Sequence, residues 1–155
     1  MTRIVRGTTA HLGALAHLMT NSPLLHRYGV TARGARASLA QALRERDLVL
    51  VSVDGDSVIG FAWAITTRAL DRSAYLRLLL VSEEHQSRGV GAALLARVER
   101  EARSAQCRHL VLLVTRTNKR ARSFYERHGY AHVGDLAGFV RPGIAESLYL
   151  KSWGT

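Results

Sequence analysis

Apolar residues recur along the chain with two periods, and each period predicts one kind of element. Alternation at every second position, or a short unbroken apolar run, predicts a strand. The predicted strands are Thr2–Arg6, Leu48–Val53, Val58–Thr66, Tyr75–Val81, His109–Thr115, Tyr130–Val133 and Ser147–Lys151. Apolar residues three and four positions apart predict helices. These run from about Leu12 to Met19, Thr31 to Arg46, Gly91 to Arg103 and Lys119 to His128.

Capping and turn residues mark where these elements begin and end. Thr31 and Asn118 are suited to cap the helices that follow them, and Gly129 suits the residue just after a helix. Asp54-Gly55 predicts a hairpin turn, and Leu24–Val30 is expected to be an irregular connection. The order of elements predicts a mixed α/β (α+β) sheet. No linker divides the chain, so a single domain over residues 1–155 is expected.

The two strands on either side of the Gly91–Arg103 helix are the most apolar. Tyr75–Val81 and His109–Thr115 carry nearly continuous apolar runs, which are typical of strands buried on both faces of a sheet. A strand, a helix and a second strand in this order predict parallel strands joined by a right-handed crossover.

Composition changes this picture only in part. A single cysteine, Cys107, excludes an internal disulfide and a cysteine-built zinc site, and no metal is expected. No apolar run approaches the ~20 residues that span a bilayer, so we expect a cytoplasmic protein without a membrane partner. The formal charge is +10, nearly all of it from arginine. This charge fits either a solvated basic surface or a polyanionic partner.

The stretch HQSRGVGAALL, residues 85–95, places two glycines just before a predicted helix. It lacks the lysine of a Walker loop, and Leu94 stands where the Rossmann fingerprint needs its third glycine. What the stretch retains is an extended loop that feeds a helix N-terminus, where free backbone N–H groups and the helix dipole favour an anion. Arg88 adds a positive charge beside it.

The pattern Gln86-x-x-Gly89-x-Gly91-Ala92 after an apolar strand resembles the acyl-CoA signature of the GNAT superfamily of N-acetyltransferases. The stretch TRTNKRARSFYERHGY, Thr115 to Tyr130, resembles that family's second signature. The resemblance implies a mixed central sheet splayed between its fourth and fifth strands and flanked by about four helices. It also implies transfer of an acetyl group from acetyl-CoA to a primary amine by direct attack of the amine.

The resemblance also implies which residues hold acetyl-CoA or coenzyme A. The amides of Arg88, Gly89, Val90, Gly91 and Ala92 would bind the pyrophosphate. The pantetheine arm would pair with the backbone near Leu79 and Val81, and Asn118 would contact the pantetheine or its phosphates. Gln86 begins the signature and is assigned to the same cofactor site.

Tyr125 matches the tyrosine that many relatives place near the thioester sulfur, and a phenol can protonate the leaving thiolate. The base is harder to assign, because Tyr75–Val81 carries no Asp or Glu. Glu146 and His26 are the candidates, or water could relay the proton, whereas Glu83 and Glu84 are expected to be solvated. The acceptor site would lie near Asn21–Thr31 and Leu136–Glu146, with His26 and Tyr28 as substrate contacts.

The acceptor stays open at this point. It could be a small-molecule amine or a protein amine, or an RNA- or ribosome-associated substrate. The chain could also be a CoA-binding protein with weak catalysis. Nucleic-acid binding has no motif to support it. A homodimer is possible, since strand edges near the C-terminus invite pairing.

Overall fold

The computed structural model of the protein describes residues 1–153. The strands are β1 Thr2–Arg6, β2 Leu48–Asp54, β3 Ser57–Thr66, β4 Ser73–Val81, β5 His109–Thr115, β6 Ala131–Ala137 and β7 Ala145–Ser152. The helices are α1 Leu12–Thr20, α2 Pro23–Arg27, α3 Ala32–Arg44, α4 Ala69–Arg72, α5 Val90–Ser104 and α6 Lys119–Arg127. Two 3-10 turns, Thr9–His11 and Glu83–His85, precede α1 and α5.

The strands are hydrogen-bonded in the order β1-β2-β3-β4-β5-β7-β6, and both parallel and antiparallel pairs occur. This confirms the predicted mixed α/β sheet. Contacts divide the chain into two compact units, Met1–Ile65 with Leu78–Glu101, and Thr66–Arg77 with the chain from Ala102 onwards. Strand β4 contributes to both units. The expected single domain stays a prediction, and its last two residues lie outside the described part of the chain.

The first unit packs α1 and α3 against β2 and β3. Leu15, Leu39 and Phe61 are almost completely buried there. Burying a side chain of this size stabilises the fold by roughly 1.5–3 kcal/mol. Leu78 and Leu80 of β4 pack against the same core and are partly buried. The second half of β4 is therefore anchored to this unit by its own side chains.

The second unit is built on β5. The first four residues of β4, Ser73–Leu76, pair in parallel with His109–Leu112. Strand β7 pairs antiparallel with β5 along its whole length, to Thr115, and β6 pairs with β7. The recorded pairs of β4 with β5 end at Leu76 and Leu112, although β5 continues to Thr115.

Complete burial on both faces is not found in β4 and β5. Ala74 and Leu76 of β4 are buried, but Tyr75 is only half-buried and Arg77 is exposed. In β5, Leu112 is buried while its neighbours on the opposite face are half-buried. The apolar runs are therefore packed tightly on one face and incompletely on the other.

The expectation of an irregular connection over Leu24–Val30 is wrong. Pro23–Arg27 forms α2, because the Ser22 hydroxyl accepts a hydrogen bond from the Leu25 amide at 3.4 Å and Pro23 occupies the first helical position. Proline is favoured there, since the amide that it lacks would have no helical partner. The residues that end α1 thus also start a helix.

One turn was not predicted at all. Leu70, Asp71 and Arg72 in α4 have φ angles of 49°, 56° and 61°, so three consecutive non-glycine residues are left-handed. This conformation costs roughly 1–2 kcal/mol per residue. Hydrogen bonds from the Ser73 hydroxyl to the Leu70 carbonyl, at 2.6 Å, and from the Arg108 amide to the Arg72 carbonyl, at 3.0 Å, hold the turn in place.

Candidate active site

The glycine loop of the first unit follows β4 after Ser82 and the 3-10 turn Glu83–His85. The side-chain amide of Gln86 donates to the Val81 carbonyl at 3.1 Å, which fastens the loop to the strand that precedes it. Ser87 and Gly89 then turn the backbone through positive φ angles of 64° and 81°. Gly89 needs its glycine for this angle, because residues with a side chain are strained there.

Helix α5 begins where the loop ends. The Ala93 amide donates to the Gly89 carbonyl at 3.0 Å, as expected for the first turn of a helix. The amides of Val90, Gly91 and Ala92 precede this bond in the chain, at the positive end of the helix dipole. Apart from Gly89 and its two chain neighbours, no atom of residues 1–153 lies within 4 Å of the position that a Cβ of Gly89 would occupy, and Arg88 is exposed. The loop therefore offers open, positively polarised backbone.

The second half of β4 has one edge committed to β3. The Leu80 carbonyl lies so close to Gly60 that a Cβ there would meet it at 2.9 Å, and the Ser82 amide donates to the Ile59 carbonyl at 2.9 Å. Backbone groups of alternate residues point to opposite edges of a strand. The groups of Leu79 and Val81 therefore point away from β3. The Val81 carbonyl is already used by Gln86.

Asn118 begins α6 in the second unit. Its side-chain oxygen accepts a hydrogen bond from the Ala121 amide at 3.2 Å, so its expected capping role is confirmed. Its own amide donates to the Thr115 carbonyl at 2.8 Å. Glu146 stands opposite Thr115 in the register of β5 and β7. The structure therefore brings Asn118 and Glu146 to the same end of β5.

Tyr125 of α6 is 8% exposed, and its ring packs edge-on against Phe124 and Tyr130, with centroids 5.2 and 5.7 Å away. Among residues 1–153 the structure records no hydrogen bond to its hydroxyl group. Burial raises the pKa of Tyr125 far above the ordinary value of a phenol. The side chain is therefore a neutral phenol, and its proton is not committed to a structural bond.

Glu146 is 3% exposed, which is unusual for a carboxylate. Its charge reaches Tyr75 of β4: burial raises the pKa of Tyr75 most, Arg77 opposes this rise, and Glu146 adds to it. Sequence reasoning did not single out Tyr75 or Arg77. Whether Tyr75 and Arg77 lie near Glu146 depends on the register of the strands, which the sequence does not show. The sequence shows only that these two residues alternate with apolar residues that are buried.

The acetyltransferase (GNAT) family matches residues 17–130. The chain belongs to the GNAT family. Its members form a class of N-acetyltransferase enzymes, and both signatures lie within the matched residues.

The chain is similar to two proteins of Bacillus subtilis, one of them an N-acetyltransferase by name. The uncharacterized N-acetyltransferase YhfO of Bacillus subtilis is 27% identical over 141 residues, which is 88% of this chain and 93% of that protein. YdhI of the same organism is 40% identical over only 45 residues, 29% of this chain and 28% of that protein.

Two solved structures share the GNAT fold of this chain. The ribosomal-protein-S18-alanine N-acetyltransferase of Escherichia coli has a TM-score of 0.84 at 20% identity, over 100% of this chain and 96% of that one. The PaiA N-acetyltransferase of Thermoplasma acidophilum, in complex with coenzyme A, has a TM-score of 0.77 at 18% identity, over 99% of each chain. At these identities the likeness concerns the fold alone.

The two residues expected to contact the acceptor lie on the first unit of this GNAT chain. His26 is exposed, and its Nε2 atom contacts the Thr20 carbonyl, so the ring is tied to the end of α1. Tyr28 is half-buried and ends α2. The contact with the Thr20 carbonyl therefore occupies one ring nitrogen of His26.

The described residues contain neither a metal cluster nor a membrane span. No group of three or more His, Cys, Asp or Glu side chains in residues 1–153 could hold a metal ion. No helix in the same range is long and apolar enough to cross a membrane.

Proposed function

We propose that this GNAT enzyme transfers the acetyl group of acetyl-CoA to a primary amine of a small molecule or a protein, by direct attack of the amine. The observation that carries the proposal is the loop before α5. It combines a left-handed Gly89, open space where a Cβ would stand, and backbone amides at a helix N-terminus. These are the features that a pyrophosphate needs in order to approach backbone closely.

The residues of the first unit fit coenzyme A. The amides of Arg88 to Ala92 would bind its pyrophosphate, and the Arg88 guanidinium would add charge. The edge of β4 that faces away from β3 would pair with pantetheine through Leu79 and Val81, with Gln86 holding the loop to that strand. Asn118 in the second unit would contribute a further polar contact. When bound, acetyl-CoA supplies an activated acetyl group.

Tyr125 would act as the acid. It holds a proton on its hydroxyl over the whole physiological range, since burial raises its pKa. The absence of a recorded hydrogen bond to that hydroxyl, among residues 1–153, leaves the proton available for a leaving thiolate. A committed hydroxyl would have to break a structural bond first.

Glu146 would act as the base. A buried carboxylate at the end of β5 can accept the proton that an ammonium group must lose before it attacks. Its negative charge would also attract the cationic substrate. His26 and Tyr28 would contact the body of the acceptor.

The test is release of free thiol from acetyl-CoA in the presence of a panel of small amines and peptides. We expect at least one amine to raise the rate well above slow hydrolysis, with the acetyl group recovered on that amine by mass spectrometry. A ribosomal-protein peptide belongs in the panel because a structural neighbour acts on such a protein. Tight coenzyme A binding without transfer to any amine would favour a CoA-binding protein with weak catalysis.

The cofactor assignment has a matched pair of variants. Gly89 and Gly55 both have positive φ, 81° and 59°. At both residues the position of a Cβ is open to 4 Å in the described part of the chain, apart from the adjacent residues. Gly89→Ala and Gly55→Ala should therefore lose similar stability, roughly 1 kcal/mol each. Only Gly89→Ala should weaken coenzyme A binding, by about tenfold or more, measured by calorimetry. Equal affinity in the two variants would contradict the assignment.

A further inference from the structure

A concave surface lies in the second unit, at the amino ends of its parallel strands. It is a cavity of ≈ 350 Å³ lined by Thr66, Thr67, Arg68, Arg72 and the turn Ala105–Cys107. This volume lies at the lower end of the range for small-molecule sites. The lining residues precede β4 and β5 in the chain.

The cavity is remote from the residues proposed for chemistry in the same unit. Asn118 and Glu146 lie at the carboxyl end of β5, next to Thr115, whereas the cavity lies before His109. A strand rises roughly 3.3 Å per residue, so the length of β5 separates the two places by about 20 Å. The acyl-transfer chemistry therefore does not account for the cavity.

The charge of the lining is one-sided. Arg68 and Arg72 are exposed, and among residues 1–153 the structure records no acceptor for either guanidinium group. None of the lining residues is acidic. The neighbouring carboxylate, Asp71, is held elsewhere by Arg108 at 2.6 Å. The thiol of Cys107 is neutral, because burial raises its pKa.

The two arginines stand on a fixed backbone. Arg72 ends the left-handed turn of α4, and its amide donates to the Arg68 carbonyl at 3.3 Å, so the two residues are tied to each other. The Trp153 indole donates to the Cys107 carbonyl at 2.7 Å, which holds the opposite wall. Strained backbone that tertiary bonds maintain is a common feature of ligand clamps.

We propose that this cavity binds a phosphoryl group, held by Arg68 and Arg72 together with the threonine and glutamine groups of the lining. Two guanidinium groups on a fixed backbone balance the charge of a phosphoryl dianion, and guanidinium forks match its oxygens in geometry. The group could belong to a free small phosphate or to the backbone of an RNA. Both sources present the same oxygens to the arginines.

The test is a titration of the isotope-labelled protein followed by NMR, at constant ionic strength. The probes are inorganic pyrophosphate and a single-stranded RNA decamer. The backbone amides of Thr67 and Gln106 report on this cavity, and the amide of Gly89 reports separately on the loop proposed for coenzyme A. A failure of the proposed coenzyme A site, seen at Gly89, can therefore be distinguished from a failure of the proposed phosphoryl site, seen at Thr67. The variants are Arg68→Gln with Arg72→Gln, and the control is Arg127→Gln, an exposed arginine of α6 in the same unit.

We expect saturable shifts at Thr67 and Gln106 that weaken at least about tenfold in the double variant and stay unchanged in the control. Shifts with pyrophosphate alone support a free phosphate. Tighter binding of the decamer, with a steep fall in affinity as salt rises, supports an RNA backbone. The proposal is overturned if neither probe shifts these amides, or if the double variant binds as the wild type does.

Discussion

Two buried tyrosines of the second unit, Tyr125 and Tyr149, use their hydroxyl groups in opposite ways. The Tyr149 hydroxyl donates to Glu126 at 2.7 Å and accepts from Arg122 at 3.0 Å. The Tyr125 hydroxyl has no recorded bond among residues 1–153, and its ring lies among other aromatic side chains. The Tyr149 hydroxyl therefore has a structural role, whereas the proton of the Tyr125 hydroxyl is not used in a recorded structural bond.

The difference teaches how to separate a structural tyrosine from a catalytic candidate of equal burial. Tyr149 is 0% exposed and Tyr125 is 8% exposed, so burial alone does not distinguish them. Burial is also the main cause of the raised pKa of each. What differs is the commitment of the hydroxyl, and removal of that one atom should therefore have opposite consequences at the two positions.

The largest effect is expected from Tyr125→Phe. Loss of the proposed acid should lower kcat about 10²- to 10⁴-fold, which is the usual contribution of general acid catalysis. Stability should hardly change, because the removed hydroxyl has no recorded structural partner. Thiol release gives kcat, and calorimetry should show coenzyme A affinity within about twofold of wild type. Unchanged turnover would refute the role of Tyr125.

Glu146→Gln should rank next. The amide keeps the size of the side chain but cannot accept a proton, so we expect kcat to fall roughly 10²-fold. The matched control is Glu126→Gln, since Glu126 is the exposed carboxylate that binds Tyr149. Its activity should stay within about threefold of wild type. If both variants keep full activity, the amine loses its proton to another group or to water.

Tyr149→Phe should reverse the pattern of Tyr125→Phe. We expect a loss of about 1–2 kcal/mol in the free energy of unfolding, because two hydrogen bonds to charged groups disappear and both partners can still reach water. Turnover should remain within about twofold. Urea unfolding of both phenylalanine variants makes the comparison direct. A larger stability loss in Tyr125→Phe than in Tyr149→Phe would break the distinction.

The smallest effect concerns Asp135, whose charge acts on Arg122, the partner of Tyr149. Hydrogen bonds from the Ser147 hydroxyl, and then from His132, lower the pKa of Asp135 below its usual 3.8. Because the folded value is the lower one, this carboxylate stabilises the fold above about pH 4. The contribution is lost as pH falls through the folded value. Thermal unfolding should show a small deficit of Asp135→Asn at pH 7 that shrinks progressively as the pH falls below 3.8. A deficit that stays equal at every acidic pH would contradict it.

Much of the fold could be predicted because periodicity and caps agreed. Thr31 and Asn118 cap α3 and α6 as expected, and Leu94, Leu95 and Val98 of α5 are completely buried. Helix α2 escaped prediction because five residues are too few to show a period. The left-handed turn was not predicted because it contains no glycine. Contacts with residues distant in sequence, such as that of Asp71 with Arg108, maintain it instead.

The candidate site divides in the same way. Gln86 to Ala92 are contiguous and form the loop and the first turn of α5, so their order along the chain already contained their geometry. Glu146 lies near Asn118 only through the pairing of β7 with β5, and the influence of Glu146 on Tyr75 also requires β4. Neither relation is visible before the strands are aligned. The acceptor, the homodimer, the RNA partner and the cytoplasmic location stay predictions.

The way β4 is shared between the two units has a consequence for synthesis on the ribosome. All residues of the first unit have been synthesised once Glu101 has been added. The segment Thr66–Arg77 lies between its two parts in the chain but belongs to the second unit. The second unit needs β7, which ends at Ser152, to pair along β5. We expect the nascent chain to acquire a folded amino-terminal part early, while Tyr125 and Glu146 assemble only after the last strand emerges. An incomplete chain would thus carry the glycine loop without the proposed chemistry.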